Sequence, residues 1–349
     1  MKFKQKLINK LKGKVNDLSH SFYKLPNDLS DVKIAYVLGV SNHPNAGDQE
    51  ITLAQKKFIN QHLPDHLYIE IEKEKTKFII DELALRLKTD DFVFIQGGGT
   101  FSDLYPEHEL PRQLIIKKLK DAPCKIIQFP ISFYYDNLKE FQDAKKFYNN
   151  AKNLTLFVRE SKSYKCIKQY LETPSFHIPD IVLSQDESDS QVIRGEQILI
   201  MFRNDCECLI SKDLANDIIE YFSKKHQVTL TDNYVENNVL TFEFNREELL
   251  KLKFDEFRKA KLIITDRLHG MIFAYITKTP VIVFDNSYGK VKFSYQDWLA
   301  DCDYIVFLDS TSSTVNDVIA AAEKLINSKR VFSLNVNSAF NPLIDVIRK

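Results

Sequence analysis

Residues 261–276 read KLIITDRLHGMIFAYI. KLIIT is a short apolar run rich in β-branched residues, the length of a buried strand and too short for a helix. MIFAYI turns apolar again after a polar break, which predicts a helix over about 270–278. A strand running into a helix across Asp266-Arg267-Leu268-His269 is half of a βαβ unit. The flanking sequence repeats the pattern. ILIMFR (198–203), QVTLTD (227–232), PVIVFDN (280–286) and YIVFL (304–308) read as strands, with helices expected near 211–225, 246–259 and 311–328. The tail NPLIDVIRK reads as a last short helix. Upstream, KIAYVLGV (33–40), HLYIEIE (66–72), DFVFIQ (91–96), KIIQF (125–129) and LTLFVRE (154–160) alternate with helix-like stretches at 49–62, 75–88, 108–120 and 137–150.

Strands alternating with helices predict parallel sheets covered on both faces by crossover helices. LSQDESDSQVIRGEQ, which follows Asp180, has the composition of a linker. The expected architecture is therefore α/β, with two Rossmann-like domains facing a cleft. A basic segment covers 1–32, an N-terminal domain 33–188, and a C-terminal domain 189–349 including the terminal helix. Ligands of such sheets bind beyond the carboxyl ends of the strands.

The length of 349 residues suits about two domains at ~150 residues each. A hydrophobic share of 44% is enough for a substantial core and excludes a disordered chain. No apolar run approaches the ~18–20 residues of a membrane span, and the lysine-interrupted N-terminus has no secretory-signal core. Five cysteines form no disulfide or zinc pattern, so a reducing cytoplasm is the expected location. Lys+Arg and Asp+Glu balance at 48 each, yet residues 1–16 hold six lysines and no acid. The remainder is net acidic, which argues against nucleic acid as a partner. Phe3, Leu7, Ile8, Leu11, Val15 and Leu18 recur at helical spacing. This basic leader reads either as a solvated or packing helix or as peripheral contact with the inner face of an anionic membrane, where each Lys gains ~1 kcal/mol.

There are nine glycines. Gly97, Gly98 and Gly99 directly follow FVFIQ and precede Thr100-Phe101-Ser102-Asp103; at a strand end they predict close backbone approach to a ligand, with a tight turn as the alternative. Asn45-Ala46-Gly47-Asp48 precedes a helix. Asp48 suits either an N-cap or a hydroxyl-holding role, with Asn45 and Gly47 shaping the cleft floor. The densest site is Asp266-Arg267-Leu268-His269-Gly270, where a cation, an imidazole and a helix start converge into an anion site. Histidine is the side chain whose ordinary titration suits general acid–base work, so His269 is the candidate. Arg159 and Arg203 also end strands, and Lys290 follows another. Each arginine reads as one arm of a site for a small polyanion, or as a surface ion pair. No H-E-x-x-H, G-x-S-x-G or Cys/His cluster occurs, and Asp301-Cys302-Asp303 precedes a strand, so no metal is expected.

Taken together and in order, these elements resemble the polysaccharide pyruvyl transferase family. The matching stretches are Asn45-x-Gly47-Asp48, Gly97 to Asp103, Phe157-Val158-Arg159-Glu160-Ser161, Pro179-Asp180, Arg203-x-Asp205-x-Glu207, Asp266 to Gly270, and Asn286-Ser287-Tyr288-Gly289-Lys290. Gln128-Phe129-Pro130-Ile131-Ser132 departs from the family pattern, and residues 1–32 lie outside the resemblance.

The resemblance implies a fold similar to the GT-B glycosyltransferases. It implies transfer of pyruvate from phosphoenolpyruvate to two sugar hydroxyls, giving a cyclic ketal on a cell-surface or exopolysaccharide glycan or its precursor. It also implies that Arg159, Arg267, Leu268 and His269 belong to the donor site, with Gly270, Arg203 and Lys290 beside them. His269 and Arg267 would then be catalytic, and Asn45, Gly47, Asp48, Gly98, Gly99, Thr100 and Asp103 would face a saccharide acceptor, whether lipid-linked, nucleotide-linked or polymeric. Phosphorus is not attacked in this reaction, so no cofactor is expected beyond the donor substrate. The competing readings are a GT-B-type glycosyltransferase using a nucleotide sugar and a non-catalytic glycan-binding protein.

Overall fold

The computed structural model of the chain describes residues 24, 25, 29, 31–234, 242–327 and 335–348. The expected amphipathic helix over residues 1–16 lies outside them. Two compact units result, one of residues up to 42, 56–157 and 167–175, the other of 43–55, 158–166 and 176 onward.

The first sheet is built from β1 (Lys33–Val40), β2 (His66–Glu72), β3 (Phe92–Ile95), β4 (Gly98–Ser102), β5 (Lys125–Tyr134), β6 (Leu154–Val158) and β7 (Ser175–His177). Its order is β2-β1-β3-β5-β6-β7, with β4 added beside β5. The helices are α1 (Ala46–His62), α2 (Lys73–Arg86), α3 (Pro106–Leu119), α4 (Leu138–Asn150) and α5 (Ser161–Tyr170). Residues Ile34 to Leu38 of β1 are buried without a break, as expected of a parallel strand covered on both faces.

One difference from expectation concerns the glycine run. Gly98–Ser102 is a strand, not a turn, and pairs in parallel with β5 (Gly98↔Ile131, Phe101↔Phe133, Ser102↔Tyr134). The first half of β5 pairs with β3, from Phe92↔Lys125 to Ile95↔Gln128. Thus β3 and β4 occupy successive stretches of one edge of β5, on either side of Phe129-Pro130. Pro130 has no N–H to give to a ladder, which suits a break at this point. Gly98 has φ 123°, a conformation that side chains rarely adopt, and it sets the kink between the two strands.

The second sheet has the order β12-β11-β10-β8-β9, from β8 (Ile198–Met201), β9 (Val228–Leu230), β10 (Leu262–Thr265), β11 (Val281–Phe284) and β12 (Ile305–Leu308). All four of its pairings are parallel. Helices α6 (Lys212–Ser223), α7 (Phe242–Lys259), α8 (Leu268–Ile276), α9 (Lys290–Ser294), α10 (Val315–Asn327) and α11 (Asn341–Arg348) accompany it. Ile198, Ile200, Ile264, Ile282 and Phe284 of the sheet pack with Ile218, Phe222, Val318 and Leu325 of α6 and α10. Burying each such side chain contributes roughly 1.5–3 kcal/mol. Among the described residues no helix is long and apolar enough to cross a membrane.

Candidate functional site

From β8 the chain crosses to β9 on one side of the sheet, and it then places β10 on the other side. The carboxyl ends of β8 and β10 therefore flank a topological switch point, where doubly wound sheets take their ligands. Met201 pairs with Thr265 at these ends, and Thr265 Oγ1 donates to the Met201 carbonyl at 2.9 Å. Arg203 comes next on one strand, Asp266 and Arg267 on the other.

Asp266 is fully buried. Its Oδ1 accepts the Arg203 N–H at 2.8 Å, while Oδ2 is buried without a hydrogen-bond partner. Burial pushes this carboxyl up to about 6, against the pull of the Arg203 N–H and of the Arg267 and Arg203 guanidiniums. Helix α8 starts at Leu268 with Arg267 as its N-cap, two residues earlier than the sequence suggests. Two local features permit this. Thr265 Oγ1 accepts the Arg267 N–H at 3.0 Å, and a Cβ on Gly270 would stand 2.6 Å from Thr265 Oγ1, so only glycine lets the helix close onto the strand end. His269 accordingly sits in the first helical turn.

The imidazole is held from two sides. His269 Nε2 stands 3.6 Å from Asp180 Oδ2, too far for a well-formed hydrogen bond, and is otherwise buried without a partner. Asp180 Oδ2 accepts from Arg159 Nη1 at 2.6 Å, and Asp180 Oδ1 accepts the Val182 N–H at 3.0 Å. Arg159 is only 2% exposed and also lies 3.7 Å from Glu160. It is thus an internal residue whose guanidinium leads to His269 through Asp180. Burial acts to raise the Asp180 carboxyl, but the neighbouring His269 imidazole and the Arg159 charge outweigh it and hold Asp180 well below the carboxylate range. Burial likewise works against the Arg159 charge, yet the Asp180 and Glu160 carboxylates keep that guanidinium above its ordinary value.

On the other side, a Cβ built on Gly47 would stand 2.5 Å from His269 Nδ1. Gly47 lies in the first turn of α1, which Asn45 caps: Asn45 Oδ1 accepts the Gly47 N–H at 2.9 Å. The N-cap reading of Asp48 is therefore corrected. Asp48 is inside the helix, with its carboxylate 3.5 Å from His43 Nε2.

Arg203, Arg267 and Lys290 lie close together, and each faces carboxylates. Arg203 makes a two-pronged contact with Asp205 (2.8 and 2.9 Å) and reaches Glu207 at 2.8 Å. Arg267 bonds Asp232 at 2.6 Å and lies 3.6 Å from Asp205, while its Nε is buried without a partner. Lys290 donates to Glu207 at 2.5 Å and to Tyr288 Oη at 2.8 Å. Burial, together with the Arg203 and Arg159 charges, pulls the Lys290 ammonium below its ordinary value although Glu207 opposes the shift. Asp205 joins Arg203 to Arg267 and Glu207 joins Arg203 to Lys290, so these three cations form one network. They are a carboxylate-buffered set.

Gly98, Gly99, Thr100 and Asp103 lie in the other unit. Thr100 Oγ1 accepts from Arg112 at 2.8 Å, and the Asp103 carboxylate accepts the N–H groups of Asp136 and Asn137 at 3.1 and 2.7 Å. Sequence reading omitted Asp180, Asp232, Glu207 and Tyr288 from the site. Asp180, Glu207 and Tyr288 stood inside quoted motifs, and Asp232 ends a strand-like run as Asp266 does; acids at strand ends were the available signal.

Known proteins resemble the chain in fold and in sequence. The fold is similar to that of UDP-GlcNAc 2-epimerase from Methanocaldococcus jannaschii (TM-score 0.51, 15% identity, 91% of this chain and 100% of that one), a likeness that bears on the Rossmann-like, GT-B-like fold alone. In sequence the chain is 33% identical over 322 residues to General stress protein 30 of Bacillus subtilis strain 168, covering 91% of this chain and 92% of that protein. It is 26% identical over 331 residues to Pyruvyl transferase 1 of Schizosaccharomyces pombe, covering 89% and 79%. The profile described as polysaccharide pyruvyl transferase matches residues 45–288, from the Asn45 cap to Tyr288 beside Lys290. The chain belongs to the polysaccharide pyruvyl transferase family.

Proposed function

We propose that the chain transfers pyruvate from phosphoenolpyruvate to two hydroxyls of a saccharide, forming a cyclic ketal on a cell-surface or exopolysaccharide glycan or its precursor. One observation carries this reading. Asp266 Oδ2, Arg267 Nε and His269 Nε2 are three buried polar atoms without hydrogen-bond partners, all within four residues at a sheet switch point. Buried polar groups are otherwise nearly always paired, so such a cluster calls for a polar ligand or ordered water. Phosphoenolpyruvate carries a carboxylate and a phosphate on three carbons and offers acceptors to Arg267 Nε and to protonated His269.

In this reading the His269 imidazolium gives a ring proton to the methylene carbon of the donor, and positive charge develops on the neighbouring carbon. A sugar hydroxyl forms a bond there and loses its proton. The bond from that carbon to the phosphate oxygen breaks, phosphate departs, and the second hydroxyl closes the ketal. The balance is one donor and one diol to one ketal and one hydrogen phosphate. Arg267 stabilises the departing phosphate. Arg159 does not grip the donor; it fixes Asp180, which orients the imidazole, as a buried carboxylate does for a catalytic histidine.

The test is phosphate release coupled to pyruvyl mass gain on a galactose-containing acceptor. His269→Ala and Arg267→Ala should each lose about 10²-fold or more of the rate. Near wild-type turnover in both would overturn these roles, and product formed from a nucleotide sugar instead would overturn the reaction.

A further inference from the structure

The first unit contains a cavity of about 240 Å³ that the proposed chemistry does not use. It lies beyond the carboxyl ends of the neighbouring strands β4 and β5, the end at which parallel sheets take ligands. Asp103 and Tyr135, which follow those two strands, line it together with Glu109 and Gln113 of α3 and Asp143 and Phe147 of α4.

The floor is rigid. Glu109 is buried, accepts from Tyr148 Oη at 2.7 Å and from Gln113 Nε2 at 2.9 Å, and is paired with Arg112. Arg112 in turn donates to Gln128 Oε1 at 3.0 Å and to the Thr100 carbonyl at 3.1 Å. The Asp103 carboxylate is fixed by its two backbone N–H donors. Tyr135 Oη, in contrast, is buried without a well-formed hydrogen bond, and the Glu109 carboxylate is the first charge bearing on it.

The lining narrows the ligand. Glu109 is neutralised by Arg112, and the exposed Asp143 lies 3.6 Å from Lys146, so Asp103 is the one lining carboxylate without a cationic partner among the described residues and the wall offers an anion no cation of its own. Carboxylates, an amide and a phenol accept and donate to hydroxyls, while the Phe147 and Tyr135 rings offer apolar faces to C–H groups. The volume falls below the ~300–1,000 Å³ of drug-sized sites and suits one sugar ring. We propose that this cavity is a subsite for one neutral hexose unit of the acceptor glycan. The proposal rests on the saccharide acceptor of the proposed function but predicts binding that needs no donor.

The test is calorimetry of the full chain with methyl glycosides of the neutral hexoses, with spermidine as a cationic probe and phosphoenolpyruvate as a separate titrant. The expected result is saturable binding of a glycoside, weakened at least tenfold by Gln113→Leu and by Phe147→Ala, with phosphoenolpyruvate binding unchanged. Tyr135→Phe removes only a hydroxyl and keeps the test informative should Phe147→Ala fail to fold. Three results would overturn the proposal: no glycoside bound, glycoside bound with equal strength by all variants, or spermidine displaced by the same substitutions in place of a glycoside. Variant-sensitive glycoside binding without ketal formation would leave the subsite standing and sink the proposed reaction. Ketal formation with variant-insensitive glycoside binding would do the reverse.

Discussion

Gly47 and His269 touch: the α-carbon at the start of α1 lies so close to the imidazole that a single added methyl would stand 2.5 Å from Nδ1. Two residues separated by more than two hundred positions are thereby in close packing, and the glycine sets where the ring can lie.

Gly47→Ala should therefore displace the ring. Overpacking of a close contact typically costs 1–3 kcal/mol, so a modest fall in melting temperature is expected. With His269 in its proposed role as general acid, the larger effect should be on turnover, down about 10²-fold, since an acid misplaced by an ångström loses most of its advantage. Steady-state kinetics beside thermal melting checks this; unchanged turnover would separate His269 from the reaction.

Asp180→Asn removes one partner of a buried ion pair and leaves the Arg159 charge with Glu160. Such losses cost about 3–5 kcal/mol. In the wild type the Asp180 carboxyl is held below the usual range, so its contribution is complete above that range and fades as pH falls through the folded value. The variant should lose stability at neutral pH and show a shallower decline in acid, as pH-dependent melting would reveal.

Asp266 has the opposite sign. Its folded carboxyl is pushed from the ordinary 3.8 up to about 6 by burial, so the folded state holds a proton that the unfolded chain has released. Stability should fall as pH rises from about 4 to about 6 on this account, then level off. Asp266→Asn keeps an acceptor for the Arg203 N–H and removes the carboxyl, so melting across that window should flatten. An unchanged slope would contradict the assignment.

Trp298 donates its indole N–H to the Arg159 carbonyl at 2.7 Å, and the neighbouring Asp297 accepts the Ser161 N–H at 2.6 Å. Both residues belong to a single π-helical turn, Tyr295–Leu299, a distortion often found at functional sites. Trp298→Phe preserves the ring but strands the carbonyl, at about 1–3 kcal/mol. In the proposed mechanism Arg159 acts only through Asp180 and His269, which predicts that kcat falls more than the KM for phosphoenolpyruvate rises.

Much of the fold was readable because periodicity carried it. Apolar runs such as ILIM and LIIT can only be buried strands at their length, and the helices between them followed. Strand β4 was missed because GGGTFS has no alternation and no β-branched run; it forms because β5 continues past β3 and offers an unused edge. Helix α5 was missed because its sequence, SKSYKCIKQY, shows few apolar positions. The Asp-Arg-Leu-His-Gly junction was legible as a site because cation, imidazole and glycine meet between a strand and a helix. The inward turn of Arg159, and its link through Asp180 to His269, was not legible. Residues 159, 180 and 269 are joined only by the folding of three separate segments, and no local spacing records that meeting.

Titration of phosphoenolpyruvate into the wild-type chain and into Arg267→Ala, followed by calorimetry, tests the central claim most directly. The account predicts saturable heat at one donor per chain in the wild type and its loss in the variant. No heat with phosphoenolpyruvate, or equal heat in both proteins, would contradict it.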